Sequence, residues 1–193
     1  MAIDRSKYMD AAEVNQLIRA CRQWESDDLR YGRLQGILVW ALVDTALQTG
    51  LRVSELAALK AADFNPKQRS LKVVRLKKKK KVVETMPISK ELAAHLKEYI
   101  GDRKTGTIFQ GKQGDLKARG LQAIFKRAIQ NAHLPDALSI HSCRHTLAVM
   151  LLRKTQNLRL VQKTLGHSSP SVTAVYADVA FDDQQAALDG LYE

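Results

Sequence analysis

Cysteine is scarce in this chain. Cys21 and Cys143 are the two present among 193 residues, and they stand too far apart for a paired zinc-ligand spacing. That excludes a disulfide framework and a cysteine-rich zinc module, and leaves reduced thiols of the kind found in the cytosol. Proline is limited to four residues and glycine to ten, so no proline-rich linker or glycine-rich tract is built. Acidic residues are outnumbered, with 20 Asp and Glu against 31 Lys and Arg. No apolar run approaches the roughly 18 residues of a membrane span, and Met1 to Arg5 holds no signal-peptide core. The expectation is a cytoplasmic protein without a membrane segment.

What is abundant is positive charge. The formal net charge is +11 and the isoelectric point is near 9.8, on an ordinary background of 45% hydrophobic residues. Such an excess most often serves nucleic acid, less often an anionic membrane surface. The alternative is a basic surface with no partner.

Hydrophobic periodicity is mostly helical. A first helix opens at Asp10-Ala11-Ala12-Glu13, a capping box, and ends in the polar stretch Glu25 to Asp28. A second, buried helix is expected from about Leu29 to Thr49, stopped by Gly50, and a short one from Glu55 to Lys60 behind a Ser54 cap. Asn65-Pro66-Lys67-Gln68 reads as a turn. Leu71 to Leu76 and Val82 to Ile88 read as the strands of a hairpin whose tip is Lys77, Lys78, Lys79, Lys80 and Lys81. Five ammonium groups at a tip invite a polyanion; the alternative is a charged edge that blocks strand pairing. A helix capped by Ser89, a third short strand at Thr107 to Phe109, and a turn at Gly111 to Gly114 follow. A helix from about Lys117 to Ala132 presents Arg119, Lys126 and Arg127 on a basic face suited to phosphates. Further helices are expected from about His141 to Lys154, from Leu158 to Leu165, from Ser171, and from about Asp182 to Leu191. The fold class is mainly α with a small antiparallel β-sheet.

The most informative stretch is His141-Ser142-Cys143-Arg144-His145, opening a helix. At 3.6 residues per turn, His141, Arg144 and His145 share a face, and two imidazoles beside a guanidinium suit an anion that needs both charge and proton transfer. Zinc ligation by His141 and His145 is the rival reading; Arg144 at the site opposes it. Arg52 sits in the turn Thr49-Gly50-Leu51-Arg52-Val53-Ser54-Glu55-Leu56, either as a held functional cation or as a surface partner of Glu55. His167 follows Gly166, and Tyr176 follows His167 by nine residues. Taken singly, Tyr176 fits a core tyrosine and His167 a helix-end histidine.

These residues in this order resemble the tyrosine recombinase (phage integrase) family. Thr49 to Leu56 is similar to its first arginine box, His141 to His145 to its His-x-x-Arg-His box, and Leu165-Gly166-His167-Ser168-Ser169 with Tyr176 to its final box. Cys143 stands where the family commonly has leucine, a small hydrophobe for the same buried place. The resemblance spans about Thr49 to Ala177 and implies that family's catalytic-domain fold.

It also implies a function. Tyr176 is the nucleophile that cleaves duplex DNA as a 3′-phosphotyrosyl ester, and Arg52 and Arg144 hold the phosphate oxygens. A hairpin lysine protonates the leaving 5′-oxygen. Counting back from Pro87 gives Lys79, and a register slip gives Lys78 or Lys77. His141 moves protons, His167 donates to the phosphate, and Glu55 and His145 support the site. No metal or cofactor is called for. The expected partner is double-stranded DNA, bound by a free monomer that assembles as a homo-tetramer on paired sites. The expected organisation is one catalytic domain over residues 1–193, with helices in 1–50, the hairpin in 71–88, the boxes in 139–177 and an end helix in 182–191, exchanged between protomers or packed in cis. No separate N-terminal DNA-clamping domain is expected. The rival functions are a type IB topoisomerase, a non-catalytic DNA-binding regulator, and a nonspecific polyanion binder acting through Lys77 to Lys81.

Overall fold

The computed structural model describes residues 3–77, 80–166 and 176, leaving aside the side chains of Leu76 and Lys77. Helix α1 (Ala11–Arg30) starts at the expected capping box: Asp10 accepts from the Glu13 amide at 2.8 Å, and Glu13 accepts from the Asp10 amide at 2.9 Å. It does not end at Glu25 to Asp28. Those polar residues continue the helix, and the break falls at Gly32, whose φ of 65° is left-handed. Helix α2 (Gln35–Thr49) therefore begins later than Leu29. Buried Asp28 fixes the junction by accepting from the Gly36 amide at 2.8 Å. Gly36 itself lets the helices approach, since a Cβ there would lie 2.6 Å from the Trp24 carbonyl oxygen.

Helix α2 is the buried axis of the molecule, as its apolar surface requires. It packs against α1 and against α4 (Lys90–Ile100), α5 (Ala118–Asn131) and α6 (Ile140–Thr155). Between α2 and α4 lie α3 (Val53–Ala58) and a three-stranded antiparallel sheet. Helix α3 starts earlier than the Ser54 cap implied, because Arg52 occupies the cap position and Glu55 accepts its amide at 2.8 Å. In the sheet, β2 (Ser70–Lys77) is central, flanked by β1 (Phe64–Asn65) and β3 (Lys80–Pro87). The register pairs Leu71 with Met86, Val73 with Glu84, Arg75 with Val82 and Lys77 with Lys80. Lys77, Lys80 and Lys81 are thus strand residues rather than tip residues. Lys78 and Lys79 lie outside the described residues.

The third strand is also not where periodicity put it. Ile108 and Phe109 are both fully buried, which breaks the alternation a surface strand needs. Thr107 makes an isolated bridge to Lys60, and the strands form at β4 (Gln110–Gly111) and β5 (Gly114–Asp115) around the expected turn. Arg103 holds this segment by donating to the carbonyls of Thr107 and Ile108. The α5 and α6 helices match expectation within a residue or two at each end, and α7 (Leu158–Leu165) matches throughout. The expected helices from Ser171 and over 182–191 lie outside the described residues.

Two apolar clusters result. The larger joins α1 to α5 and the sheet, and takes in Cys21, Ile140 and Cys143. The smaller is built from Tyr8, Ala148, Val149, Leu152, Val161, Leu165 and Tyr176. The face of α6 between them carries the site. Among the described residues, no helix is long and apolar enough to cross a membrane.

Candidate active site

Helices α2 and α7 both end on left-handed glycines, Gly50 (φ 59°) and Gly166 (φ 64°). Their last carbonyls lack helical partners, and Arg144 from α6 supplies them. Its Nη1 donates to the Gly50 carbonyl at 2.8 Å and its Nη2 to the Leu165 carbonyl at 2.7 Å. Of the guanidinium's five N–H donors, these bonds use two, leaving three for a ligand. The side chain is held from both sides in one orientation. Arg144 is buried, and that burial, then the charges of Arg52 and Arg75, lower its pKa to about 10; Glu55 and Tyr176 act in the opposite sense. It remains cationic at neutral pH.

Arg52 lies at the turn that Gly50 begins. Its Nη1 pairs with Glu55 Oε1 at 3.1 Å; the Arg52 side chain is 41% exposed, while that of Glu55 is 5% exposed. The expectation of a local pair with Glu55 and that of a held cation are therefore both met by one geometry. The buried carboxylate fixes the head of Arg52 without covering it.

Tyr176 is buried in the smaller apolar cluster, which also holds Tyr8 and Leu165, and its hydroxyl lies 2.8 Å from His145 Nδ1. Burial raises the pKa of the phenol, and the charge of Arg144 works against that rise. Burial, then the charges of His141, Arg144 and Lys7, lower the pKa of His145. Both groups are thus biased toward their neutral forms. His141 is exposed one turn earlier on the same helix. The structure thus gives His145 a direct contact with Tyr176 rather than a place behind Arg144. Their separation of 31 positions hid that contact from sequence reasoning.

Of the sequence-derived candidates, Arg52, Glu55, His141, Arg144, His145 and Tyr176 are brought together. His167, Lys78 and Lys79 lie outside the described residues. Lys80 and Lys81 are exposed on β3, and Arg119 and Arg127 are exposed on α5. Lys126 is committed locally, its Nζ 2.7 Å from Asp136 Oδ1, so a phosphate would have to compete with that carboxylate for it. Among the described residues, no group of three or more His, Cys, Asp or Glu is placed to hold a metal ion. Cys143 is buried and its thiol pKa is raised by that burial; burial takes Cys21 up to about 12, so both are inert thiols.

One residue beside the site was missed. Arg75 of β2 is 2% exposed and reaches the end of α7, donating through Nη1 to the Leu165 carbonyl and through Nη2 to the Thr164 carbonyl at 3.1 Å. Its Nε lies 3.0 Å from Glu84 Oε2. The signal was present in the strand: Leu71, Val73 and Arg75 alternate on the inward face, so an arginine stands where an apolar residue belongs.

The chain that places two guanidiniums, Arg144 and Arg75, on helix ends beside a buried phenol has relatives in sequence and fold. A sequence model of the phage integrase family matches residues 7–183. The chain belongs to the phage integrase family. Within that family, it is 31% identical over 154 residues to tyrosine recombinase XerC of Pelobacter propionicus, covering 77% of this chain and 50% of that protein. It is 30% identical over 185 residues to tyrosine recombinase XerD of Staphylococcus saprophyticus, covering 90% of this chain and 59% of that one. The integrase-family chain thus spans between half and three-fifths of these relatives' length. Its fold is that of the XerA recombinase crystal structure, with a TM-score of 0.75 at 23% identity over 93% of this chain and 62% of the other. XerH recombinase bound to its difH substrate in a pre-cleavage complex gives a TM-score of 0.69 at 23% identity, over 88% of this chain and 50% of the other.

Proposed function

We propose that this chain carries the strand-transfer chemistry of a site-specific DNA recombinase. The observation that carries the reading is the placement of the Tyr176 hydroxyl on His145, one residue along α6 from an Arg144 guanidinium locked between two helix ends. The family relationship supports the same reading.

The chemistry follows from these groups. The Tyr176 oxygen attacks the scissile phosphorus, a P–O bond to tyrosine forms, and the bond to the 5′-oxygen breaks. Neutral His145 accepts the phenol proton through Nδ1, and a phenol with a raised pKa needs such an acceptor. Arg144 and Arg52 hold the non-bridging oxygens, where charge accumulates in the transition state. Arg144 can do so without reorganising, because its two carbonyl bonds already fix its plane. The leaving 5′-oxygen takes a proton from a hairpin lysine, for which Lys79 is the candidate, while His141 and His167 complete the proton and hydrogen-bond set. The phosphotyrosyl ester keeps the energy of the broken bond, so attack by a 5′-hydroxyl reseals DNA without ATP.

Double-stranded DNA is the substrate on this reading. The lysine run from Lys77 to Lys81 supplies charge for its phosphates, with Lys80 and Lys81 exposed on β3, and exposed Arg119 and Arg127 offer a second contact. Recombination requires two duplexes, hence a homo-tetramer on paired sites. The test is to incubate the protein with a pool of duplexes of randomised sequence, in a chelator and without ATP. The sample is then denatured and protein-linked DNA recovered. Covalent adducts enriched in one sequence are expected. Adducts on every sequence, with relaxation of any supercoiled plasmid, would place the chain with topoisomerases, and no adduct at all would overturn strand transfer.

A further inference from the structure

Arg75 is a buried charge with no place in the strand-transfer reaction itself. Its guanidinium donates to the Leu165 and Thr164 carbonyls, and Glu84 Oε2 lies 3.0 Å from its Nε as an ion pair without hydrogen-bond geometry. At 2% exposure it cannot reach out to clamp a phosphate itself. Two features set it apart from an ordinary helix-end cation. First, the Leu165 carbonyl is shared: it accepts from Arg75 Nη1 on one side and from Arg144 Nη2 on the other. Two like charges thus meet on one oxygen, at a Coulombic cost that Glu84 beside Arg75 offsets. Second, Gly166 is fitted to the guanidinium. A Cβ at that glycine would fall 2.3 Å from Arg75 Nη1, 2.5 Å from Cζ and 2.8 Å from Nε.

We propose that Arg75 is a positioning residue for strand transfer, gripping the end of α7 from the hairpin stem so that the carbonyl holding Arg144 stays fixed and the hairpin stays docked on the site. This rests on the strand-transfer reading above. The logic is mechanical. Arg144 is oriented by two acceptors, one at the end of α2 and one at the end of α7. The α2 acceptor is secured by the main core. Helix α7 has eight residues, of which Val161 and Leu165 are buried, in the smaller cluster. Its end is held from outside by Arg75, and Arg75 is aimed by Glu84 across the two strands. The register puts Arg75 opposite Val82, with the lysines of the hairpin immediately beyond. A shift of the stem therefore moves the α7 carbonyl, and with it the plane of Arg144.

The duplex recovered from wild-type adducts is the probe, used at saturating concentration in single-turnover cleavage. Arg75→Met is expected to slow adduct formation at least about 30-fold while the DNA dissociation constant stays within about threefold, because the loss lies in transition-state geometry. Arg75→Lys keeps the charge but can make only one of the grips, and is expected to lose about fivefold to tenfold. The decisive readout is coupling. In an Arg144→Lys background, Arg75→Met should cost no more than about threefold further, since the group it positions is already altered. Effects that multiply independently, or an Arg75→Met rate within about threefold of wild type, would overturn the proposal. If Arg75→Met does not fold, Arg75→Lys and Glu84→Gln carry the same cycle. Should the wild type form no adduct, the strand-transfer reading fails first, and the positioning role fails with it.

Discussion

Replacing Gly32, Gly50 and Gly166 with alanine, one at a time, separates backbone strain from the packing that builds the site. All three have nearly the same φ, at 65°, 59° and 64°, so the cost of a left-handed alanine is common to them. That cost is about 1–2 kcal/mol, offset in part by the lower entropy of the unfolded chain. At Gly32 nothing lies within 4 Å of an added Cβ, so strain is the whole effect and about 1 kcal/mol is expected. At Gly50 the Cβ would meet the methyl ends of Leu165 at 2.8 Å and Leu147 at 3.0 Å. Side-chain ends yield cheaply, so about 1 kcal/mol more is expected. At Gly166 the obstacle is the Arg75 guanidinium, held by two carbonyl bonds and an ion pair with Glu84. Moving it breaks at least one hydrogen bond from a charged donor, worth about 1.5–3 kcal/mol, for a total of about 3–4 kcal/mol. Urea unfolding of the three variants, compared at a common slope, gives the ladder. Equal losses at Gly166 and Gly32 would mean that Arg75 is not held as described, and the account of the α7 end would fall.

Other outcomes follow from the same contacts. His145 has its pKa lowered in the folded state, so its neutral form is favoured; the unfolded chain binds more protons below the ordinary histidine value, and this group's stabilising contribution is full above that value and lost as pH falls through the folded pKa. The imidazole should titrate in NMR spectra below the ordinary value near 6.5, with loss of its bond to Tyr176; titration above that value would contradict it. Asp44 of α2 lies 2.6 Å from His95 of α4 and accepts from Gln48 at 2.7 Å, so Asp44→Ala should cost about 2–3 kcal/mol in urea, measured with catalysis left aside. Lys80 and Lys81 are exposed on the hairpin, and replacing both with alanine should lower the slope of log affinity against log salt by about 0.9 for each phosphate they had neutralised; an unchanged slope would remove the hairpin from the DNA interface.

Much of this was legible in the residues because it is local. Capping at Asp10 and Ser89, the stop at Gly50 and the bounds of α7 are short-range effects, and each came out where the pattern put it; the apolar stripe of α2 did so from Val39 on, while Leu34 is exposed ahead of the helix. The failures have physical causes too. The polar run Glu25 to Asp28 looked like a terminus, yet polar residues on an exposed face continue a helix, and only the left-handed Gly32 ends it. Ile108 and Phe109 looked like a strand but are buried on both sides. In the site, Arg52, Glu55, Arg144 and Tyr176 carried signals through their order along the chain. The contacts of His145 with Tyr176, of Arg75 with α7 and of Asp44 with His95 did not, because each joins elements distant in sequence. Arg75 was marked only by the wrong polarity for its face of the strand.

The central claim is that Tyr176 becomes covalently joined to DNA. The most direct measurement is digestion of the denatured adduct followed by mass spectrometry of the linked peptide, with the free DNA end identified by labelling. The account predicts a 3′-phosphate on Tyr176, a free 5′-hydroxyl, and no adduct from Tyr176→Phe, a variant that should still fold and still bind the duplex. A nucleotide on any other residue, or strand exchange retained by Tyr176→Phe, would contradict it.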